Sequence, residues 1–397
     1  MMNRKRKYRY LILAFLALDL MLMGWLGYRI LDRKIPDQIL VDHENSREVA
    51  SLLKRPFVSF DDAIAVSGKD SYTLHCRVLG VIPFKDVKVK HTTAKEVYVS
   101  GAAVGIYMQT KGVLIIDTGE ILSESGETEE PARDIVKPGD YIVAFNQNRI
   151  QCKQDLLEDL ADLDGESVTL KVRRGKETIP LSLTPVKDEE GKYKLGIWVR
   201  DDTQGIGTVT YITENGQFAE EGRFGALGHG ISDVDTGELL SIADGNLYDA
   251  QILGIRKGEK GNPGELSGLI RYEAGNILGE ISENRKNGIF GTMEASQLKN
   301  MNLEKVPIGY KQDLKTGPAS VLCCTDGEVK EYAAEITRID LNHEDSNKSF
   351  VIQITDKELL KKTGGIVQGM SGSPVLQNRK LFGAVTHVFV QDSTSGY

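Results

Sequence analysis

The sequence predicts a mainly β protein behind an amino-terminal transmembrane helix, and three observations carry that prediction. Short runs of β-like pattern recur between clusters of Gly, Asn and Asp from Tyr72 onward. Glycine fills 41 of 397 positions, enough for the many turns of a β fold, and no long amphipathic helix interrupts the strands beyond residue 190. One apolar run, Tyr10 to Tyr28, follows the basic cluster Arg4, Lys5, Arg6, Lys7 and Arg9.

That run is long enough to cross a bilayer as a helix, and its basic flank predicts a cytoplasmic amino terminus with everything after Tyr28 on the far side. The stretch Gly27-Tyr28-Arg29-Ile30-Leu31 has no small-x-small cleavage site, so a retained anchor is expected rather than a cleaved signal peptide. Asp19 inside the run costs a few kcal/mol of insertion free energy, and the surrounding Leu, Ile and Met residues tolerate it. Residues 31–70 are charged and polar with little periodicity and read as a juxtamembrane tether.

A chain of 397 residues predicts two or three folded units, and 40% hydrophobic with 27% charged residues is a globular profile. The net charge of -8 argues against a nucleic-acid partner, which needs surplus Lys and Arg. Cys76, Cys152 and the pair Cys323-Cys324 show no CxxC spacing, so they read as free thiols in or near cores, and no metal or cofactor is implied.

A small β region, 71–98, opens with Tyr72 to Pro83, a strand ending in a glycine-proline break, and the alternating strand Asp86-Val87-Lys88-Val89-Lys90. Residues 99–186 follow. There Val104, Gly105, Ile106 and Tyr107 place apolar residues around a glycine before the buried strand Gly112 to Ile116. This resembles the carboxylate-binding loop of a PDZ domain. Pro131-Ala132, the segment Lys137 to Asn146, a helix around Asp155 to Leu163 and strands at Val168–Gly175 and Ile179–Leu183 follow in PDZ order. Such a domain adds a peptide as an extra strand. Asp188-Glu189-Glu190-Gly191 reads as a polar hinge, and 190–397 as one all-β domain or a pair of packed barrels, with strands at Gly207–Ile212, Gly268–Tyr272 and Ser349–Ile354.

The chemistry-bearing residues lie in this last region. Gly369-Met370-Ser371-Gly372-Ser373-Pro374 sets a serine in a tight glycine turn, where amides of Gly369, Met370 and Ser371 can face a developing oxyanion. A serine hydroxyl attacks a peptide carbonyl only when an imidazole takes its proton. Of the six histidines only His229, in Gly228-His229-Gly230, is flanked by glycine on both sides; His387, just after the serine, is its rival. His43, His75, His91 and His343 lie on polar stretches, a strand or a loop. Asp233, Asp235 and Asp356 are each placed to orient the imidazole, and spacing does not choose among them.

The basic anchor, Leu79-Gly80-Val81-Ile82-Pro83, the PDZ unit before the peptidase, Gly228 to Asp233, and Gly365 to Pro374 with Gly383 to Val390 together resemble the stage IV sporulation protein B family, membrane-anchored serine peptidases of endospore-forming Firmicutes. The resemblance is nearly full length. It implies a chymotrypsin-like double β-barrel, His229 as general base, Asp356 as its orienting acid and Ser371 as nucleophile. It further implies self-cleavage near the amino terminus and secretion from the forespore into the intermembrane space. There the family cleaves a regulatory membrane protein that restrains an intramembrane metalloprotease, releasing a late sigma factor. Its PDZ unit is implied to recognise the enzyme's own chain and its target. The family continues briefly past the Ser-Gly-Tyr region where this sequence stops at Tyr397, which leaves either an incomplete pocket wall or an incomplete sequence as expectations. The competing class is a membrane-tethered PDZ adaptor with an inactive peptidase-like domain; thiol chemistry at Cys323-Cys324, which lack a matched base, is the weakest of the three.

Overall fold

The computed structural model describes residues 4–42, 58–60, 71–93, 95–214, 221–294, 303–340 and 347–397. His43, His343 and much of the 31–70 tether lie outside them. The chain opens with helix α1 (Arg4–Lys34), whose stretch Tyr8–Lys34 is long and apolar enough to span a bilayer and whose most apolar window is not buried in the protein. Among the described residues it is the one candidate single-pass anchor. At 1.5 Å per residue its apolar run Tyr10 to Tyr28 covers about 28 Å, close to a hydrocarbon core.

Four strands follow: β1 (Gln38–Asp42), β2 (Val58–Phe60), β3 (Ser71–Val78) and β4 (Ile82–Thr92), in the order β1-β4-β3-β2. β1 runs parallel to β4, with Gln38 opposite Lys88, and the other pairs are antiparallel. Alternation decides their faces: Leu74, Cys76, Val87 and Val89 point into a core with Ile35 and Ile39, and Leu31 at the end of α1 packs on it.

The larger body is built on two long strands, β6 (Ala103–Thr118) and β7 (Ile197–Glu214). Their inner halves pair with each other and continue through strands Glu221–Ala226, Gly288–Glu294, Ile277–Arg285 and Ile242–Arg256, the last of which pairs back onto β6. The result is a closed six-stranded antiparallel barrel, which removes unpaired edges. Val104, Ile106, Met108, Val209, Phe224, Leu247 and Ile289 fill it. Strand β5 (Glu96–Val99) pairs with β7 and with Glu304–Pro307, so it belongs here and not to the small β region.

The outer halves of β6 and β7 leave the barrel and enter a second unit. There β6 pairs with Tyr141–Phe145, which continues to Val168–Arg174 and Glu177–Leu183, and helix α2 (Lys153–Ala161) covers the sheet. Its core includes Val113, Ile115, Ile142, Phe145, Leu156, Leu170 and Leu195. The unit is an insertion between two adjacent strands of the barrel. The divisions at 99, 186 and 190 read from the sequence therefore do not follow the strand pairing: 96–110 lies in the barrel, and the inserted unit runs to the first residues of β7. The expected hinge at 188–191 is a tight hairpin, in which Val186 pairs with Lys194 and the Asp188 carboxylate accepts from the amides of Glu190 and Lys192.

Seven strands between Gly317 and Gly396 form the second barrel, with Val321, Tyr332, Ile352, Met370 and Val375 inside. Its two ends are brought together where the Thr386 amide donates to the Tyr397 carbonyl (2.7 Å) and the Tyr397 amide to the His387 carbonyl (2.8 Å). A short helix, α3 (Lys357–Thr363), precedes the serine turn. The fold is mainly β, two barrels behind an apolar helix.

Candidate active site

The serine turn is a β-barrel-two element held by barrel one. Gly369 and Gly372 adopt φ of +97° and +98°, a left-handed conformation that a side chain resists. At Gly372 a Cβ would also collide with the Thr208 carbonyl and the Leu227 backbone. Thr208, buried on β7, donates its amide to the Ser371 carbonyl (3.0 Å) and its hydroxyl to the Gly369 carbonyl (2.7 Å). Thr210, two residues on and on the same face, donates its hydroxyl to the Gly372 carbonyl (2.7 Å). Three carbonyls of the turn thus end on one strand. The Ser371 hydroxyl itself donates to the Thr386 carbonyl (3.1 Å).

His229 follows the strand Glu221–Ala226 in a turn that needs Leu227 and Gly228 at φ +67° and +68°. Gly228 packs on Thr386 and Ala384, and Leu227 on Gly372, so this turn and the serine turn meet across the barrel interface. The half-buried imidazole has Nδ1 2.9 Å from the Gly230 carbonyl. A carbonyl only accepts, so Nδ1 carries the proton and Nε2 keeps its lone pair. Asn284 steadies the loop from the neighbouring strand: its oxygen accepts from the Ile231 amide (2.9 Å), and its amide donates to the Ile231 and Leu240 carbonyls.

His387 lies against His229, the ring centroids 5.2 Å apart. Desolvation, then the adjoining His229 and Lys348, hold its pKa below the usual histidine value. It is a neighbour of the candidate base.

The aspartates are engaged elsewhere. Asp356 is the N-cap of α3, its Oδ1 accepting from the amides of Glu358 (2.8 Å) and Leu359 (3.0 Å), and among the described residues it makes no bond to His229. The orienting role implied for it by resemblance is not the one it has here. Asp233 is buried in an ion pair with Arg200, which also holds Asp235 at 2.9 Å. Burial pushes the Asp233 pKa up, but amides of Thr236 and Asp235 and the Arg200 charge outweigh it and leave the carboxyl below its ordinary value. The candidate oxyanion set also narrows: the Met370 amide donates to the Val367 carbonyl (3.1 Å) and its side chain is buried in barrel two, leaving the Gly369 and Ser371 amides as the candidate donors. Cys323 is buried with its pKa raised to about 12 by desolvation, so it stays a thiol and offers no nucleophile.

Val104, Gly105, Ile106 and Tyr107 do not form a peptide-binding loop. They are mid-strand residues of β6, paired on one side with Gln204–Gly207 of β7 and on the other with Asn246–Asp249. With both edges taken, no peptide strand can add there. An open edge exists elsewhere in the inserted unit. Gly196, at φ +66°, turns the chain into Ile197–Val199, which pairs with β6 on one side and faces α2 on the other. Between them is a groove of about 740 Å³ lined by Leu156, Leu157, Leu160, Leu195, Ile197 and Trp198 among others.

The chain is 30% identical over 116 residues to a Clostridium perfringens protein named as a zinc metalloprotease, covering 27% of this chain and 34% of that one. A Xylella fastidiosa protein of the same naming is 32% identical over 68 residues, 17% of this chain and 15% of that one. The chain thus spans about a third or less of the length of these relatives. Among solved structures, the PDZ domain of an SdrC-like protein from Listeria monocytogenes aligns at 19% identity and a TM-score of 0.19, over 22% of this chain and 87% of that one. The sequence model of the family described as SpoIVB peptidase S55 matches residues 191–397, more than half of the chain and the whole of the Ser371 and His229 turns, and the chain belongs to that serine peptidase family.

Proposed function

We propose that this peptidase is the sporulation signalling endopeptidase of its cell, with Ser371 as nucleophile and His229 as base. The observation that supports this most is the meeting of the Ser371 and His229 turns across the barrel interface, stapled by Thr208 and Thr210. Ser371 attacks the scissile carbonyl as its hydroxyl proton passes to His229 Nε2; the Gly230 carbonyl holds the other ring nitrogen, and the Gly369 and Ser371 amides take the oxyanion. The acyl-enzyme is then released by water activated through the same imidazole. Anchored by α1 with its amino terminus in the cytoplasm, it cleaves itself and a regulatory membrane protein in the intermembrane space around the forespore. That cleavage sets off intramembrane proteolysis and release of a late sigma factor. The inserted unit is a PDZ domain whose groove, between Ile197–Val199 and α2, takes an extended segment of its own chain or its target.

Two observations favour the tethered adaptor instead: the Ser371 hydroxyl is bonded to the Thr386 carbonyl, and Asp356 caps a helix. An active-site fluorophosphonate separates the two readings. Covalent labelling of the folded full chain, lost in Ser371→Ala and His229→Ala, is the result expected of the peptidase; a folded chain that takes no label is the adaptor.

A further inference from the structure

We propose that the β3–β4 hairpin is a second membrane contact, its tip Leu79-Gly80-Val81-Ile82 dipping into the lipid beside α1. The tip is apolar where hairpin tips are ordinarily polar. Leu79, Val81 and Ile82 are 63%, 72% and 58% exposed, and together they make one protruding patch. Leu79 and Gly80 both have positive φ (+56° and +76°), with the Val81 amide donating to the Val78 carbonyl, a β-turn inside the connection between Val78 and its partner Ile82 whose central positions favour Asn-Gly or Gly-Gly. A leucine there carries backbone strain and exposes its side chain to water, two costs that lipid would halve by taking the side chain.

Two contacts fix the tip at the level of the bilayer. Lys85 on β4 donates to Asp32 (3.0 Å) and the Ile35 carbonyl (2.9 Å) and pairs with Asp37 (2.6 Å), which pins the strand to the last turn of α1. The next residue toward the tip, Phe84, packs edge-on against Tyr28 with ring centroids 5.1 Å apart. Tyr28 ends the apolar run, and Trp25, with Arg29 over its ring at 5.3 Å, lies one turn deeper: the aromatic and basic residues that mark a membrane interface. The parallel register of β1 with β4 agrees, since it carries β4 back alongside the helix. From Phe84 the strand continues to Ile82, about 7 Å further along the helix toward its amino terminus. The patch is therefore continuous with the lipid-facing surface of the anchor, and lipid is the occupant that continuity selects.

This inference rests on α1 spanning a bilayer, so the test reads both together. The full chain carries Cys152→Ser, its other three thiols being buried, and one added cysteine at Val81, Ile82, Leu18 or Val329. Each is spin-labelled and measured in phosphatidylcholine and phosphatidylglycerol nanodiscs for collision with oxygen against a water-soluble nickel chelate. Labels at 81 and 82 are expected to resemble the one at 18, their oxygen-to-nickel ratio several-fold above that at 329 on the far barrel. A water-like ratio at 81 and 82 with a lipid-like one at 18 overturns the hairpin contact and leaves the anchor standing; water-like values at all three overturn both. Labels at 81 and 82 shielded from both reagents mean a protein partner covers the tip, and the proposal fails.

Discussion

Thr208 holds the turn of the proposed nucleophile from outside it, since its amide and hydroxyl end on the carbonyls of Ser371 and Gly369. Thr208→Val keeps the shape and removes one donor, which strands a buried carbonyl at a cost of about 1–3 kcal/mol. The rate of fluorophosphonate labelling should fall in that variant and return in Thr208→Ser, whereas a mere packing role would make Ser the worse of the two. Asp356 invites the opposite kind of comparison. Asparagine caps helices as well as aspartate, so Asp356→Asn should label at close to the parent rate, and Asp356→Ala should melt lower by the equivalent of about 1 kcal/mol. A drop of about 10⁴ in the Asn variant, the size seen when a triad aspartate is neutralised, would put Asp356 back beside the imidazole. His387 gives a pH signature. Its folded pKa is depressed, so as pH falls below about 6.5 the unfolded chain takes up the proton first and stability is lost. Melting temperatures at about pH 7.5 and about pH 5.5 should differ less in His387→Gln than in the parent.

At the scale of elements, the serine turn is the part least able to change. Gly372→Ala would force a side chain against the Thr208 carbonyl at a left-handed φ, and the expected outcome is loss of labelling with a lowered melting temperature; an Ala variant that labels normally would mean the turn has room to shift. This turn was legible from the sequence because glycines two before and one after a serine, with a proline close behind, can neither continue a strand nor build a helix and so force the chain to reverse. So were the strands Val168–Arg174, Glu177–Leu183 and Phe350–Ile354, whose apolar runs are bounded by turn residues. The helix after Asp356 went unread in the sequence although its end signals are there: an aspartate, Glu358 in the first turn, basic residues in the last, and Gly364 just beyond. The groove was not legible, for a physical reason. Val104-Gly105-Ile106 and Leu195-Gly196-Ile197 carry the same apolar-glycine-apolar pattern, and only Gly196 takes a positive φ; Gly105 is required for a different purpose, the close approach of the Ile270 side chain. Nothing local distinguishes the two. The base loop's dependence on Asn284, 53 residues from Ile231, is likewise a product of barrel closure and has no sequence-local signal.

For the whole molecule, the decisive feature is that the inserted unit has no linker. β6 and β7 each run unbroken from one unit into the other, and β7 touches the groove with Ile197–Val199, the base loop with Arg200, and the nucleophile turn with Thr208 and Thr210. Such a strand works as a ruler. Val199 and Thr208 are nine residues apart, about 30 Å of extended chain at 3.3 Å per residue, and neither end can swing toward the other. A polypeptide whose end is seated in the groove would then be cut only where its free part is long enough to cover that span, roughly nine extended residues. In a series of peptides sharing one docked end and one cleavable bond, cutting should rise steeply once the spacer reaches that length and decline slowly beyond it. A response indifferent to spacer length would mean that groove and nucleophile act on separate molecules. Selection of the scissile bond would then be set by distance along the substrate as much as by the side chains beside the bond, a form of specificity written in the length of a single strand.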